Sequence, residues 1–232
     1  MNQNSCDELV PYQTRKIKPT RRSVSGVYPF RGDVAVPFES TLERDFLMRS
    51  EFFLDVLDVI AQPAQIPFLG VNGQTYTYTP DFLVYYKLGN RSYSDYPKPL
   101  LVEIKPQVEW RQHWRSWLPK WKTARHYAHE QGWQFRIHDE SRVRDKVFEN
   151  VRFFERYKRM SFSPEESQCV IDSVQQMGAA PIHYLLARHF MGLYRSQGVA
   201  HIWHLIATRR LDCDVSKSIN EFSEVWIPTN VY

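Results

Sequence analysis

The chain has 232 residues, enough for one large domain or for a medium domain and a small one. Hydrophobic residues make up 43% of it and charged residues 24%, so the composition supports a packed core and excludes wholesale disorder. No apolar run approaches the roughly 18 residues of a membrane span, residues 1–10 lack an apolar signal segment, and three distant cysteines exclude a disulfide framework and a zinc-site spacing. We therefore expect a cytoplasmic protein without membrane contact.

The formal net charge of +4 is unevenly distributed along the chain. Residues 161–232 contain 5 of the 30 lysines and arginines but 7 of the 26 acidic residues, so the positive charge is concentrated in residues 1–160. A basic region of this kind suits a polyanion such as DNA, although an ordinary solvated surface can have the same balance.

Residues 1–36 are polar and lack sustained periodicity, which predicts an extended N-terminal arm. A disordered tail without a partner would have the same composition. The arm carries five basic residues that are candidates for DNA contact: Arg15, Lys16, Lys18, Arg21 and Arg22.

Residues 37–160 mix helical and strand patterns, which predicts an α/β domain with a central sheet of about four strands. Leu42 and Phe46 begin the apolar spacing of the first helix. The predicted elements are a helix over 39–53, strand segments over 59–62, 65–69, 75–79, 82–86 and 100–104, a helix over 108–131 interrupted near Pro119, a strand over 133–137 and a helix over 142–159.

Residues 161–232 begin with a new helix signal, which predicts a separate C-terminal domain. Ser163, Pro164 and Glu166 have the types and spacing of a capping box with proline at the first helical position. The segment predicts helices over 164–177, 181–190 and 199–207 and a hairpin of 211–215 with 224–227, which together make a winged-helix plan. The helix over 199–207 could enter a major groove, but the acidic balance of the segment favours a protein partner.

Residues 81–105 carry the strongest chemical signal. Glu103 and Lys105 are two residues apart in a predicted strand, so they point to one face of the sheet, and Asp81 lies at a strand bend that can reach the same end. Phosphodiester hydrolysis needs a divalent metal that lowers the pKa of a water and neutralises charge on the phosphate. Two carboxylates and a lysine supply such a site, in which Lys105 would orient or deprotonate the water or stabilise the phosphate charge.

Two further groups complete the predicted site. The carbonyl of Ile104 is an additional metal ligand, and Glu43 can face the sheet because it adjoins the core-facing Leu42. Glu-x-Lys occurs by chance roughly once in such a chain, but this pair follows a Leu-Leu-Val run, which fits an exposed ion pair poorly. We therefore predict Mg²⁺, with Mn²⁺ as a substitute, held by Glu43, Asp81, Glu103 and Ile104, and a catalytic set of Glu43, Asp81, Glu103 and Lys105.

A tryptophan-rich helix and two histidine pairs are the other notable motifs. Trp110, Trp114, Trp117 and Trp121 share one helical face, which predicts a core stripe, while the intervening Arg111, Arg115, Lys120 and Lys122 can still contact phosphates. The pairs at 126/129 and 201/204 have metal-compatible spacing but no third ligand at a suggestive distance, so we interpret them as core or surface histidines.

Three segments resemble the TnsA family, the endonuclease subunits of heteromeric cut-and-paste transposases. They are Phe38-Glu39-Ser40-Thr41-Leu42-Glu43-Arg44-Asp45-Phe46, Pro80-Asp81-Phe82 and Val102-Glu103-Ile104-Lys105-Pro106. The resemblance implies a restriction-endonuclease-like PD-(D/E)xK core over 37–160 followed by a winged-helix domain over 161–232. By this match Glu43, Asp81 and Lys105 take catalytic positions, and Glu103 takes a position that is Glu or Gln among relatives.

The resemblance also implies a reaction and partners. The subunit would cut the 5′ strands of double-stranded DNA at transposon ends, a TnsB-like DDE transposase would cut and join the 3′ strands, and a TnsC-like AAA+ ATPase would contact the C-terminal domain. The protein would then be associated with the nucleoid. The compact chain is similar to the versions found with CRISPR-guided transposons. A restriction or repair endonuclease of the same fold and a non-catalytic DNA-binding scaffold remain alternatives.

Overall fold

The computed structural model describes residues 11–15, 24–192 and 195–229. They form two compact units: the described residues of 1–44 with Val56–Lys87 and Arg91–Glu140 belong to the first, and Asp45–Asp55, Leu88–Asn90 and the described residues of 141–232 belong to the second. The predicted domain boundary at residues 160 and 161 lies within the second unit and stays a prediction.

The first unit is built on a four-stranded mixed sheet. Its elements in chain order are β1 (Gly26–Phe30), β2 (Val34–Phe38), the start of α1 (Thr41–Phe52), β3 (Val56–Ala61), β4 (Ile66–Leu69), β5 (Thr75–Tyr78), β6 (Phe82–Tyr86), β7 (Leu100–Ile104), α2 (Gln107–Glu130) and β8 (Gln134–His138). The main sheet has the order β3-β6-β7-β8, antiparallel except for the parallel pair β7–β8. The predicted mixed α/β architecture is confirmed.

Part of the predicted extended arm is a β-hairpin. Strands β1 and β2 pair antiparallel and bury the side chains of Phe30, Val36 and Phe38. The sequence does not predict these strands, because Pro29 and Pro37 interrupt the residues that form them. A two-stranded ribbon accepts proline where a central strand does not, since each strand has an edge that needs no N–H donor.

Helix α2 runs without a break through Pro119, so the interruption predicted there is wrong. Proline removes one helical N–H donor, but Trp121, Ala124 and Ala128 are buried in the following turns and hold them in helical register. The helix ends before Gly132, whose φ of 75° suits glycine. None of the described helices, the 24-residue α2 included, is both long and apolar enough to cross a membrane.

The second unit packs helices against a small antiparallel sheet. Its elements are α3 (Glu140–Val143, which begins at the end of the first unit), α4 (Lys146–Lys158), α5 (Pro164–Met177), β9 (Ala179–Pro181), α6 (Ile182–His189), α7 (Arg195–Ala207), β10 (Asp212–Cys213) and β11 (Glu224–Trp226). The predicted N-cap role of Ser163 is confirmed, since Ser163 Oγ accepts a hydrogen bond from the backbone N–H of Glu166, while its hydroxyl donates to Glu165 Oε2. The predicted pairing of β10 with β11 is also confirmed, and β9 adds a third strand.

The core of the second unit contains one of the predicted histidines. His201 has no exposed surface and stacks on Phe162, with ring centroids 4.3 Å apart. Its Nε2 lies 2.7 Å from Ser167 Oγ, whose own proton goes to the carbonyl oxygen of Ser163. His201 Nε2–H is therefore the donor, and the residue is a core histidine, as the sequence predicts.

Candidate active site

Asp81 is fixed at the end of the main sheet by three backbone or side-chain hydrogen bonds. Its N–H donates to the Val102 carbonyl at 3.1 Å, and its carbonyl accepts from the Gln62 N–H at 2.8 Å. Its carboxylate Oδ2 accepts from the Ile104 N–H at 2.7 Å. The bend between β5 and β6 thus carries this carboxylate to the end of β7, where the sequence placed it.

Glu103, in β7, is the most buried acid of the site, with 1% of its surface exposed. Its Oε2 accepts a hydrogen bond from the Tyr78 hydroxyl at 2.6 Å. Its Oε1 lies 3.4 Å from Lys105 Nζ and 3.3 Å from Lys120 Nζ. Both oxygens of this carboxylate are therefore held by donors from other parts of the first unit.

Lys105 lies between the two carboxylates, with Nζ 3.7 Å from Asp81 Oδ2 as well as 3.4 Å from Glu103 Oε1. Burial opposes its charge, but the carboxylates of Asp81, Glu103 and Glu43 outweigh burial and raise the pKa of Lys105. The lysine therefore stays an ammonium at neutral pH.

Glu43 sits in the first turn of α1 and takes part in its cap. Ser40 Oγ accepts from the Glu43 N–H at 3.1 Å and donates to Glu43 Oε1 at 2.9 Å, while Glu43 Oε2 accepts from the Glu39 N–H at 2.7 Å. Burial raises the pKa of Glu43, against the lowering effect of those two hydrogen bonds and of Lys105. The carboxylate is thus within the electrostatic reach of the site but is engaged at the helix start.

The four predicted side chains make a site with excess negative charge. Burial, then Glu103 and Glu43, raise the pKa of Asp81 well above its ordinary value, with Lys105 and the Ile104 N–H acting in the opposite direction. Three carboxylates face two ammonium groups, those of Lys105 and Lys120. A cation would relieve this imbalance.

The donor set has the chemistry that a hard divalent cation prefers. Carboxylate oxygens and the carbonyl of Ile104 are the oxygen ligands that Mg²⁺ prefers. Within 11–15, 24–192 and 195–229, however, no three His, Cys, Asp or Glu side chains are already grouped as metal ligands. Glu43 would have to leave the helix cap, and the Lys105 ammonium would have to give up part of its contact with Asp81 and Glu103.

Sequence reasoning missed several groups that hold the site. Tyr78, Gln62 and Ser40 were not singled out, and Lys120 was considered only as a phosphate contact. Lys120 follows Trp117 by three residues on a helix, which was the one local sign that it faces the aromatic side. The bond between Gln62 and Asp81 has no sequence signal, since it arises from strand pairing.

The predicted DNA-contact residues have different surroundings. Arg15 Nη2 lies 2.6 Å from both carboxylate oxygens of Glu39, and its Nε donates to Gln62 Oε1 at 3.3 Å. Lys16, Lys18, Arg21 and Arg22 lie outside the described residues. The three predicted contact residues on α2, Arg111, Arg115 and Lys122, are exposed.

The tryptophan face of α2 packs against the core of the first unit at three of its four positions. Trp121 is buried in that core, Trp110 and Trp117 are half-buried against it, and Trp114 is 44% exposed. The core-stripe interpretation therefore holds for Trp110, Trp117 and Trp121. Arg115 lies over the ring of the exposed Trp114, 5.4 Å from its centroid.

Two family models match the sequence. The model described as TnsA-like endonuclease N terminal matches residues 54–140, and the one described as TnsA endonuclease C terminal matches residues 143–215. The chain therefore belongs to the TnsA family of transposon endonucleases and is a DNA endonuclease of transposition. The first match contains Asp81, Glu103 and Lys105, whereas Glu43 precedes it. A search among curated proteins finds no match.

Proposed function

We propose that this TnsA-family chain is a metal-dependent endonuclease that cuts the 5′ strands at transposon ends while a TnsB-like DDE transposase processes the 3′ strands. The observation that carries the proposal is the buried group of Asp81, Glu103 and Lys105 at one end of the main sheet. Buried charges of this kind are costly, and their clustering with a raised carboxylate pKa is typical of a functional site.

The charge of the site supports Mg²⁺, or Mn²⁺ in its place. Asp81, Glu103, Glu43 and the Ile104 carbonyl would hold the ion. When bound, Mg²⁺ lowers the pKa of a water and neutralises charge on the phosphate. With all five ionisable groups charged, the site changes from a net −1 to a net +1 on binding a divalent ion, and a positive site attracts the DNA backbone.

The charge state of Lys105 bears on its role in the proposed reaction. In the metal-free protein neighbouring carboxylates raise the pKa of Lys105 and keep it an ammonium. An ammonium donates hydrogen bonds, so in this state Lys105 orients the water or stabilises charge on the phosphate. Proton abstraction would require Lys105 to lose its proton once a metal draws Asp81 and Glu103 away from it.

The second unit supports a winged helix that binds protein. The order α5, β9, α6, α7, β10, β11, with β10 and β11 paired as a hairpin, matches the winged-helix plan, and the sheet at the site supports the restriction-endonuclease-like core. Seven of the 13 residues of α7 are buried, which leaves little of it to enter a DNA groove. A TnsC-like AAA+ ATPase is the partner that the family suggests.

The test is to map strand cuts on transposon-end DNA. The full-length chain, Mg²⁺ and the partner transposase are mixed, and cleavage of each strand is followed separately. Asp81→Ala is expected to abolish 5′ nicks and to leave 3′ cleavage intact, whereas Asp95→Ala, which changes an exposed aspartate, leaves both. Loss of 3′ cleavage with normal 5′ nicking in Asp81→Ala would refute the assignment.

The scaffold alternative makes a different prediction about metal. A non-catalytic scaffold has no need of Mg²⁺ at these residues. Calorimetric Mg²⁺ binding that disappears in a Glu43→Ala, Asp81→Ala double variant would therefore count against a scaffold, and unchanged binding would count against the proposed site.

A further inference from the structure

Lys120 differs from the other cations of α2 because it is enclosed. Its side chain is 15% exposed, while Lys122 and Arg125 on the same helix are exposed. Its ammonium lies over three aromatic rings, 4.6 Å from the centroid of Trp117, 5.0 Å from that of Tyr78 and 5.7 Å from that of Trp121. Such rings attract a cation and restrict its movement, so Lys120 is fixed where it is.

The enclosed ammonium has one acidic partner in the site. Lys120 Nζ donates to Glu103 Oε1 at 3.3 Å, the same oxygen that Lys105 approaches at 3.4 Å. Tyr78 holds the other oxygen and also contributes one of the three rings. Lys120, Tyr78 and Glu103 thus form one connected group.

Because both Lys105 and Lys120 contact Glu103 Oε1, Lys105 can move away while Lys120 stays paired with the carboxylate. In the proposed reaction Lys105 serves a water or a phosphate, which weakens its contact with Glu103. A carboxylate that is 1% exposed has almost no solvent to replace a lost cation, and an unpaired buried charge is strongly unfavourable. Lys120, held by its rings, keeps Glu103 paired when Lys105 turns away.

We propose that Lys120 is a positioning residue of this endonuclease: it anchors Glu103 and so frees Lys105 to act on the scissile phosphate. The inference rests on the proposed function. It predicts that Lys120 acts through Glu103 and makes no contact with DNA. Its loss therefore lowers the maximal rate of nicking and leaves the apparent KM for DNA unchanged.

The first experiment compares variants of the full-length chain in single-strand nicking with Mg²⁺ and the partner transposase. Lys120→Met keeps an apolar stem between the rings but removes the charge, and it is expected to lower the maximal 5′ nicking rate by about 10- to 100-fold. Lys120→Arg restores most of the rate because it restores the cation. Arg125→Met, which removes an exposed cation from the same helix, leaves the rate unchanged.

A double-mutant cycle separates positioning from general damage. If Lys120 acts through Glu103, the Glu103→Gln, Lys120→Met double variant nicks no more slowly than Glu103→Gln alone. Additive losses would overturn the proposal, and so would a raised KM with an unchanged maximal rate, which would make Lys120 a DNA contact. Should Lys120→Met fail to fold, Lys120→Arg still decides, because a folded Lys120→Arg variant that does not support nicking contradicts the proposal.

The outcomes distinguish this inference from the proposed function. A wild-type chain without Mg²⁺-dependent 5′ nicks would refute the function itself. A wild-type chain that nicks, together with an equally active Lys120→Met variant, would refute only the role of Lys120.

Discussion

Both units of the molecule bury ionisable side chains, with opposite electrostatic results. In the first unit Lys105 lies between Asp81 and Glu103, and the neighbouring carboxylates raise its pKa and keep it an ammonium. In the second unit His201 is buried next to Ser167, and burial lowers its pKa to about 4, which keeps it neutral at physiological pH. Charge is retained inside the protein where chemistry would use it, and it is removed where a side chain only fills the core.

Asp81→Asn gives the most direct test of this contrast. The change keeps the side-chain shape and an acceptor for the Ile104 N–H but removes a proposed metal ligand, and the metal is worth several kcal/mol in the transition state. We expect 5′ nicking to fall about 10³-fold. Thermal unfolding without metal is expected at a higher temperature than in the wild type, because ionised Asp81 opposes folding. Lower thermal stability of Asp81→Asn would contradict the account of the site.

Leu205→Ala tests how well the core of the second unit, which surrounds the neutral His201, is packed. Leu205 has no exposed surface and lies in the core of the second unit. Truncation of such a residue costs about 2–5 kcal/mol in the free energy of unfolding, since it leaves a cavity. Urea unfolding measures the loss, and Leu57→Ala, at a half-exposed leucine, is the matched control. A loss as small as that of the control would mean that this core is not well packed.

The two units are expected to respond to pH in opposite directions. The folded-state pKa values of Asp81 and Glu43 are raised, so these carboxyl groups ionise at lower pH in the unfolded chain than in the folded one. Their contribution to the free energy of unfolding is therefore present at acid pH and is lost as pH rises from the ordinary carboxyl range. The folded-state pKa of His201 is lowered from 6.5 to about 4, so its stabilisation is lost as pH falls through that interval. The raised pKa of Lys105 contributes only at alkaline pH.

Hydrogen exchange measured residue by residue separates these two effects. Asp81→Asn is expected to reduce the loss of protection in the first unit as pH rises, and His201→Gln to reduce the loss in the second unit as pH falls. If protection against exchange changed with pH in the same direction in both units of the wild type, the expected electrostatic difference between the units would be refuted.

The smallest expected effect concerns the exposed part of α2. If Arg111 and Arg115 contact phosphates, replacing both by glutamine weakens binding to all DNA sequences alike and lowers the slope of log K against log salt by about 2. Fluorescence anisotropy over a salt series measures the slope. Replacement of Arg188 and Arg195, exposed arginines of the second unit, is the control, and an equal change there would mean that the cations of α2 are not special.

The positions of Glu103 and Lys105 could be predicted from the sequence, because residue spacing along a strand determines which face a side chain lies on. A two-residue spacing places Glu103 and Lys105 on one face, and the run from Leu100 to Val102 identifies their strand as buried. Glu43 required the family resemblance, since a position in a helix does not specify which strand that helix approaches. The family-model match contains the other three residues and begins after Glu43, so it does not bear on the position of Glu43.

The remainder depended on contacts between distant parts of the chain. Lys120 and Tyr78 lie 17 and 25 residues from Glu103, and only the packing of α2 and β5 brings them to it. Proline led to two wrong predictions. Pro29 and Pro37 argue against strands, yet they lie in a hairpin, and Pro119 predicts a helix break, yet the buried turns after it keep α2 continuous. Single-residue rules describe preferences, and tertiary packing can override them.

The cap of α1 links metal binding to the local stability of a helix. The Glu43 carboxylate that would hold the ion is the acceptor for the backbone amide of Glu39. If Glu43 turned toward a metal in the proposed site, it would release that amide to water and the start of the helix would fray. Solvent exchange at Glu39 would then report occupancy of the site, and the loss of the cap would weaken the affinity for the metal.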